Sequence, residues 1–413
     1  MLSTITVLGL IFVKVSVKNK SQREFLEELF TLLPSIRGRF NFCNLGRYSK
    51  YNEQTFRRNF SNYFDWLKFN FAMIQLGLSS PTSNCVAAVD ASFISKAGKK
   101  TFGLDKFWSG CANIAKKGLE ISTLALIEIT TGTAWTLDVT QTPANLSSKE
   151  GEQGNYTRIN FYIEQIIDCL SYLKNVRYIV ADGYYAKKKM FDAVLLANKH
   201  LITRLRVDAN MKYIFDRAKN PTAHGNRKYG DKVDWENLDL NLWIDIGVHP
   251  KFNHLLVYTQ DLYSVQFEIN LKVVILINTK NGKYVLLASS DLSQTALEIV
   301  QFYALRFQIE FLFRDAKQFT GLNHCQARDE PKLDFHFNMS LAAINLFQLQ
   351  MKLNGQNNRS MNSFVRKAYN TKLVRLLFDQ LNSKPELKEF LEVEAPVFQK
   401  IINLGQVLYK KSA

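Results

Sequence analysis

The chain has 413 residues and carries 53 lysines and arginines against 37 aspartates and glutamates, a formal net charge of +16. This length predicts two or three folding units, and the positive charge favours nucleic acid as a partner over the substrates of a carbohydrate-cleaving enzyme. Five cysteines without CxxC pairs argue against a zinc ribbon or a disulfide framework and fit a reducing cytoplasm.

The first segment, MLSTITVLGLIFVKVSV, is apolar. It lacks the basic n-region and the small-residue cleavage site of a signal peptide, and it is too short to span a bilayer. No other segment reaches about 18 uninterrupted apolar residues. We therefore expect a soluble cytoplasmic, nucleoid-associated protein with no membrane partner. The pattern does not distinguish a strand from a helix for this segment.

Residues 1–80 are predicted to be helical. One helix is expected to stop near Pro34, and another, capped by Asn52, is expected to run through NEQTFRRNFSNYFDWLKFNFAMIQL. A basic helix after a tight turn is the outline of a helix-turn-helix, and equally of any small helical bundle. The interpretation as a DNA-binding region places Arg57 and Arg58 near the front of the recognition helix. The following SPTSNC is predicted to be a linker.

In residues 81–206 the sequence pattern changes from helical to one that includes several strands. CVAAVDASFI is an apolar run that contains an acid, two further strands form a meander, and VRYIVADGYYAKKKMFDAVLLANKHLITRLR has the order strand, turn, helix, strand. This order predicts an α/β domain with a mixed sheet. Residues 207–287 alternate apolar and polar positions without a helical period, which predicts a β-rich block.

A long helix is predicted in residues 288–345, with a cap at Ser290–Ser293 and a course through YALRFQIEFLFRDAKQ. At about 100° per residue, four polar side chains share one face beside an apolar stripe that would seat the helix on a core. They are Tyr303, Arg306, Glu310 and Lys317. The same row also fits a solvated helix face with an ion pair at i, i+4.

Two further acids lie at apolar strands: Asp90 in CVAAVD, and Asp182 directly after RYIVA. A carboxylate there is costly unless it is solvated, paired or bound to a metal, although each acid alone also fits a turn. Together with Glu310, they would supply oxygen ligands of the kind that Mg²⁺ and Mn²⁺ prefer. Two such ions can bind the attacking and leaving oxygens of a phosphodiester.

These residues resemble the DDE transposases of the IS4 group of bacterial insertion sequences. The resemblance lies in AAVDASFI, in VADGYYAKKK and in the pattern Y-x2-R-x3-E-x6-K, which matches at every gap. It implies an α/β fold with an RNase H-like, retroviral integrase-like catalytic core and a β-rich insertion, plus helical terminal regions. The implied units are a DNA-binding region (1–80), a first core part (81–206), the insertion (207–287), a second core part (288–345) and a helical tail (346–413).

The resemblance further implies a DNA transposase that cuts and joins DNA at terminal inverted repeats, acting as a homodimer on double-stranded DNA. Asp90, Asp182 and Glu310 would be the catalytic residues and would bind two Mg²⁺ or Mn²⁺ ions. The remaining candidates are DNA contacts at Tyr303, Arg306, Lys317, Lys187, Lys188, Arg57 and Arg58, and flipped-base contacts at Trp235 and Trp243. A place in the core is an equal alternative for the two tryptophans.

Two alternative functions stay open. The first is a structure-selective DNA nuclease with the same fold that does not join its products to a target. The second is a captured transposase that acts only as a DNA-binding regulator. The three acids argue against the regulator, because a protein without catalysis has no physical need for convergent carboxylates.

Overall fold

The computed structural model describes residues 2–146, 156–215, 229–357, 359–382 and 395–404. The helices are α1 (Thr4–Val15), α2 (Lys20–Leu32), α3 (Phe42–Tyr48), α4 (Glu53–Asn59), α5 (Trp66–Gly77), α6 (Arg158–Asp168), α7 (Lys188–Leu196), α8 (Ala296–Leu305), α9 (Gln308–Phe319), α10 (Glu330–Leu353), α11 (Met361–Asn382) and α12 (Ala395–Asn403). The strands are β1 (Cys85–Ser95), β2 (Asp105–Ser109), β3 (Ile114–Glu128), β4 (Ala134–Gln141), β5 (Tyr178–Ala181), β6 (His200–Leu205), β7 (Met211–Ile214), β8 (Tyr229–Lys232), β9 (Ile244–His249), β10 (Phe252–Ser264), β11 (Ile269–Asn278) and β12 (Tyr284–Ser289). Parts of the predicted insertion and of the predicted tail lie outside the described residues.

The N-terminal helices begin at residues whose side chains accept a backbone N–H, as expected of good N-caps. These caps are Ser3, Asn19, Asn41, Asn52 and Asp65. The apolar first segment is helix α1. The single helix predicted after Asn52 is wrong: α4 ends at Asn59, and α5 starts only after Asp65, whose carboxylate accepts the Lys68 N–H at 3.0 Å.

One mixed sheet organises the fold. The strands β4, β3, β1, β5 and β6 lie side by side in that order; β1, β5 and β6 run parallel, and β3 is antiparallel to both of its neighbours. Beyond β6 the sheet continues through β12, β11, β10, β7 and β8, while β2 pairs with the start of β3 and β9 pairs with β10. The predicted α/β class with a mixed sheet is confirmed.

Helices cover both faces of this sheet. Ser92 of β1 contacts Lys317 of α9, whereas Ser122, which pairs with the neighbouring Ala91, bonds to Gln165 of α6. Since successive residues of a strand point to opposite faces, α9 and α6 lie on opposite sides. Helix α10 has buried side chains on almost all of its faces and therefore belongs to the interior.

The helices before β1 and the sheet share one core. A single cluster of buried side chains extends from α1 and α5 through β1 and β3 to α10. Among the residues that the structure describes, no helix is both long enough and apolar enough to cross a membrane.

Candidate active site

Asp90 lies within β1, and Asp182 directly follows the neighbouring parallel strand β5. Val89 of β1 pairs with Ala181 of β5, and each acid directly follows its member of this pair. Paired strands are separated by about 4.8 Å, so the two carboxylates leave the sheet at adjacent positions. Strand β5 ends here because Asp182 caps a short 3₁₀ turn, accepting the Tyr184 N–H at 2.8 Å, while Thr203 donates to the Asp182 carbonyl.

The helix that carries the polar row is broken. It begins at Thr295, whose capping box with Glu298 replaces the cap predicted at Ser290–Ser293. Helix α8 ends at Leu305 and α9 starts at Gln308, and backbone bonds of the i→i+3 type tighten the chain between them. The expectation of one continuous helix is therefore wrong. Tyr303 lies on α8, Glu310 and Lys317 lie on α9, and Arg306 lies at the junction.

Arg306 joins two of the candidate catalytic acids. Its Nη1 lies 2.9 Å from Asp90 Oδ2, and its Nη2 lies 3.1 Å from Glu310 Oε1. The side chains of Arg306 and Asp90 are only 14% and 16% exposed, so this contact is shielded from solvent. The guanidinium also lies 5.8 Å from the centre of the Tyr303 ring. Asp90, Glu310 and Tyr303 thus form one contiguous group around Arg306.

The surroundings of Asp90 disfavour its charged form. Burial raises the pKa of the Asp90 carboxyl to about 7; Arg306 opposes this rise, and the carboxylates of Asp182 and Glu310 add to it. Burial and mutual repulsion both disfavour the charged form of an acid. The neutral form of Asp90 is therefore more favoured than that of an exposed aspartate.

Lys317 is held at the sheet by Ser92. Its Nζ donates to Ser92 Oγ at 2.8 Å. Burial lowers the pKa of Lys317, and the nearby Cys111 thiol opposes that change. Sequence reasoning did not single out Ser92, although a signal exists: it is the next residue after Asp90 on the same face of β1.

The other predicted DNA contacts have different surroundings. Lys188 forms ion pairs with Asp192 at 3.2 Å and with Glu268 at 3.3 Å. Arg57 pairs with Glu53 on its own helix. Lys187 and Arg58 are exposed. A DNA contact by any of these residues stays a prediction.

Trp235 and Trp243 belong to the interior of the β-rich segment. Trp243 is buried, and its ring centre lies 6.2 Å from that of the half-buried Trp235. The Trp235 Nε1–H donates to the Ala209 carbonyl at 2.6 Å. Contact with a flipped base stays a prediction, and it requires these side chains to become exposed.

The carboxylates fit divalent ions by donor type. Oxygen ligands alone are what Mg²⁺ and Mn²⁺ prefer, and Asp90, Asp182 and Glu310 supply them. Within the described ranges, no three His, Cys, Asp or Glu side chains are close enough together to bind one ion. The guanidinium of Arg306 supplies a positive charge between Asp90 and Glu310 instead. Ion binding at all three acids would therefore require Arg306 to move.

Comparison with known proteins adds one finding. The family model described as Transposase DDE domain matches residues 81–346 of the chain, a range that contains all six residues of the proposed site. A search of curated proteins found no match.

Proposed function

The chain belongs to the transposase DDE domain family, and we propose on this premise that it is a metal-dependent transposase of the IS4 group. In this proposal the protein binds terminal inverted repeats as a homodimer, cuts the DNA there and joins the ends to target DNA. The observation that carries the proposal is the adjacency of Asp90 and Asp182 on paired strands, facing Glu310 across Arg306. The net charge of +16 supports a DNA substrate.

Asp90, Asp182 and Glu310 would hold two Mg²⁺ or Mn²⁺ ions. When bound, such ions activate the attacking oxygen and stabilise the charge of the phosphodiester in the transition state. The chain's own contribution is to orient the DNA. Guanidinium groups bind phosphate oxygens in a bidentate manner, so Arg306, once released from Asp90, has the geometry to bind a phosphate of the DNA end.

Lys317 and Tyr303 would position the same DNA end. The hydrogen bond to Ser92 holds the Lys317 ammonium beside β1, two residues along the strand from Asp90. There the ammonium would neutralise a phosphate next to the cut. Tyr303 has a half-buried ring beside Arg306 and would limit where the DNA backbone can lie.

The test uses a plasmid that carries the reading frame with its native flanking DNA. With Mg²⁺ and a target plasmid, the wild-type protein should excise the segment and join it to the target. Asp90→Asn, Asp182→Asn and Glu310→Gln should each abolish cleavage but leave DNA binding largely intact. The loss of one carboxylate ligand impairs ion binding, whereas the basic surface that binds DNA is unchanged. Asp192→Asn is the matched control, since this exposed acid of α7 pairs only with Lys188 among the described contacts.

The same assay separates the alternatives. Cleavage without joining would favour a structure-selective nuclease, and DNA binding without cleavage would favour a regulator. Normal cleavage by any of the three triad variants would refute the proposed catalytic triad. Short inverted repeats on both sides of the reading frame would independently support a transposase over a nuclease.

A further inference from the structure

A basic and aromatic surface lies on the hairpin of β2 and β3, residues 105–117, which the proposed mechanism does not use. Lys106 pairs directly with Lys117 across the two strands, and Trp108 pairs with Ala115. Since alternate pairs share a face, Lys106, Lys117 and Trp108 project from the same side of the hairpin. Both ammonium groups are exposed, and the Trp108 side chain is 57% exposed.

The two lysines face each other, and neither forms an ion pair with an acid of the described residues. The nearest acidic residue in sequence, Asp105, accepts the backbone N–H groups of Lys106 and Asn145, and its other ionic neighbour is Arg158 at 4.0 Å. Within the described part of the chain, no ion pair involves Lys106 or Lys117. Like charges directly opposite each other destabilise a strand pair. An anion bound between them would remove this cost.

The opposite face of the hairpin is fixed to the body of the protein. Phe107 is fully buried, and the Arg158 guanidinium lies 4.7 Å from the centre of its ring. Arg158 also donates to the Lys106 carbonyl at 3.1 Å. Trp108 therefore lies on a strand whose other face is packed against the protein. Its exposure is a property of this strand and does not result from a loosely held loop.

The hairpin extends from the strand next to the candidate active site. Strand β3 pairs with β1 from Cys85–Glu128, through Asp90–Thr123, to Ser95–Gly118, and the hairpin begins where this pairing ends. At about 3.3 Å per residue, the lysine pair lies roughly 20 Å along the sheet from Asp90.

We propose that this face binds an unpaired stretch of a DNA strand beside the candidate active site. Trp108 would stack on one base, and Lys106 and Lys117 would bind the flanking phosphates. An exposed aromatic ring between cations is the arrangement that binds single-stranded nucleic acid, whereas the bases of an intact duplex hide their faces from such a ring. The inference rests on the proposed function only in taking DNA as the substrate.

The test uses the 16-mer oligonucleotide dT16 as a probe and the protein's own fluorescence as a reporter. Of the five tryptophans, Trp66, Trp135 and Trp243 are buried, Trp235 is half-buried and Trp108 is exposed. Stacking on thymine should quench Trp108. We therefore expect dT16 to quench the emission of the wild-type protein and to leave that of Trp108→Phe almost unchanged, while substitution of the buried Trp66 (Trp66→Phe) keeps the quenching.

Affinity measured by anisotropy of labelled dT16 completes the test. Trp108→Ala should weaken binding roughly 5- to 100-fold, as expected for the loss of one stacked base, and Trp108→Phe should recover much of the loss. Lys106→Ala and Lys117→Ala should each lower the slope of log affinity against log salt by about 0.7. Neither lysine variant should lower the melting temperature, because each removes a repulsion.

Ile114→Ala is the matched control. Ile114 is 53% exposed on the same hairpin, but it pairs with Ser109 and so lies on the other face. Equal quenching in the wild-type protein and Trp108→Phe, or wild-type affinity in Trp108→Ala, would overturn the inference. The excision assay tests the proposed function separately, since a protein that cannot join DNA can still bind dT16 through Trp108.

Discussion

Arg306 places one positive charge between two carboxylates of the candidate site, those of Asp90 and Glu310. Its guanidinium opposes the rise in the pKa of the Asp90 carboxyl, a rise that is caused mainly by burial and to a smaller extent by the carboxylates of Asp182 and Glu310. A buried ion pair contributes little net stability, but removal of one partner leaves an uncompensated charge that costs about 3–5 kcal/mol. The stability of the ion-free protein should therefore depend on Arg306.

We predict that Arg306→Gln lowers the free energy of unfolding by about 3 kcal/mol when measured by urea titration with EDTA at pH 8. Millimolar Mg²⁺ should recover a large part of this loss, because ions at the same acids would replace the missing positive charge. Arg314→Gln is the control: this exposed arginine pairs with the adjacent Asp315 on the same helix, so its loss should cost well under 1 kcal/mol. Equal effects of the two substitutions would contradict the role assigned to Arg306.

At this scale the sequence predicts the identities of the polar residues better than their contacts. The acids and the Tyr-Arg-Glu-Lys row follow from strand ends, helical spacing and the matched pattern. The Arg306–Asp90 bond and the Lys317–Ser92 bond join residues more than 200 positions apart. Local periodicity holds no information about such pairs, because they depend on how the helix lies on the sheet.

Among the elements, β4 shows how an edge strand is covered inside a large protein. Its outer edge has no strand partner among the described residues, and α10 lies along it. Asn345 of α10 accepts the Thr136 N–H at 2.9 Å and donates to the Thr136 carbonyl at 2.7 Å, while Asn338, two turns earlier, donates to the Val139 carbonyl. These amides replace the bonds of a missing strand, as buried backbone groups require.

Asn345→Leu should therefore destabilise the protein by about 3 kcal/mol, since it leaves a buried N–H and a buried carbonyl of Thr136 without partners. Chemical denaturation monitored by circular dichroism measures this loss. Gln350→Leu is the control on the same helix. Among the described residues, the side-chain amide of Gln350 forms hydrogen bonds only with Leu2 and Thr4, near the exposed start of α1. Its cost should stay below about 1 kcal/mol. A small effect of Asn345→Leu would mean that the edge of β4 is satisfied in another way.

Strands were easier to predict than helix ends. Apolar runs and alternation indicated the strands, since burial on one or both faces of a sheet imposes that pattern directly. The break between α8 and α9 was missed because the junction contains Arg306 and Phe307, with neither Gly nor Pro to mark it. Both halves keep a helical period, so the sequence resembles one helix.

For the whole molecule, the boundary between the N-terminal helices and the sheet is not a free linker. The start of the predicted linker is bound to the sheet: the Ser80 hydroxyl and the N–H of the preceding Ser79 both donate to Glu128 Oε1, at 2.9 and 2.8 Å. Within α5, Gly77 lies so close to the indole of Trp135 that a Cβ there would clash with it at 2.4 Å. Composition marked the change from helices to strands at this point, but it could not show that the two parts share one core.

This shared core predicts that residues 81–413 cannot fold alone. Removal of residues 1–80 would expose the faces of β4 and α10 against which α5 packs, where Phe69, Met73 and Ile74 are now fully buried. We expect the truncated chain to be insoluble or to lack a cooperative thermal transition, whereas the full chain should melt in one transition and resist protease cleavage between residues 78 and 85. Large apolar surfaces left open to water favour aggregation over a compact state. A soluble 81–413 chain with a sharp transition would show instead that the N-terminal helices are an independent DNA-binding unit.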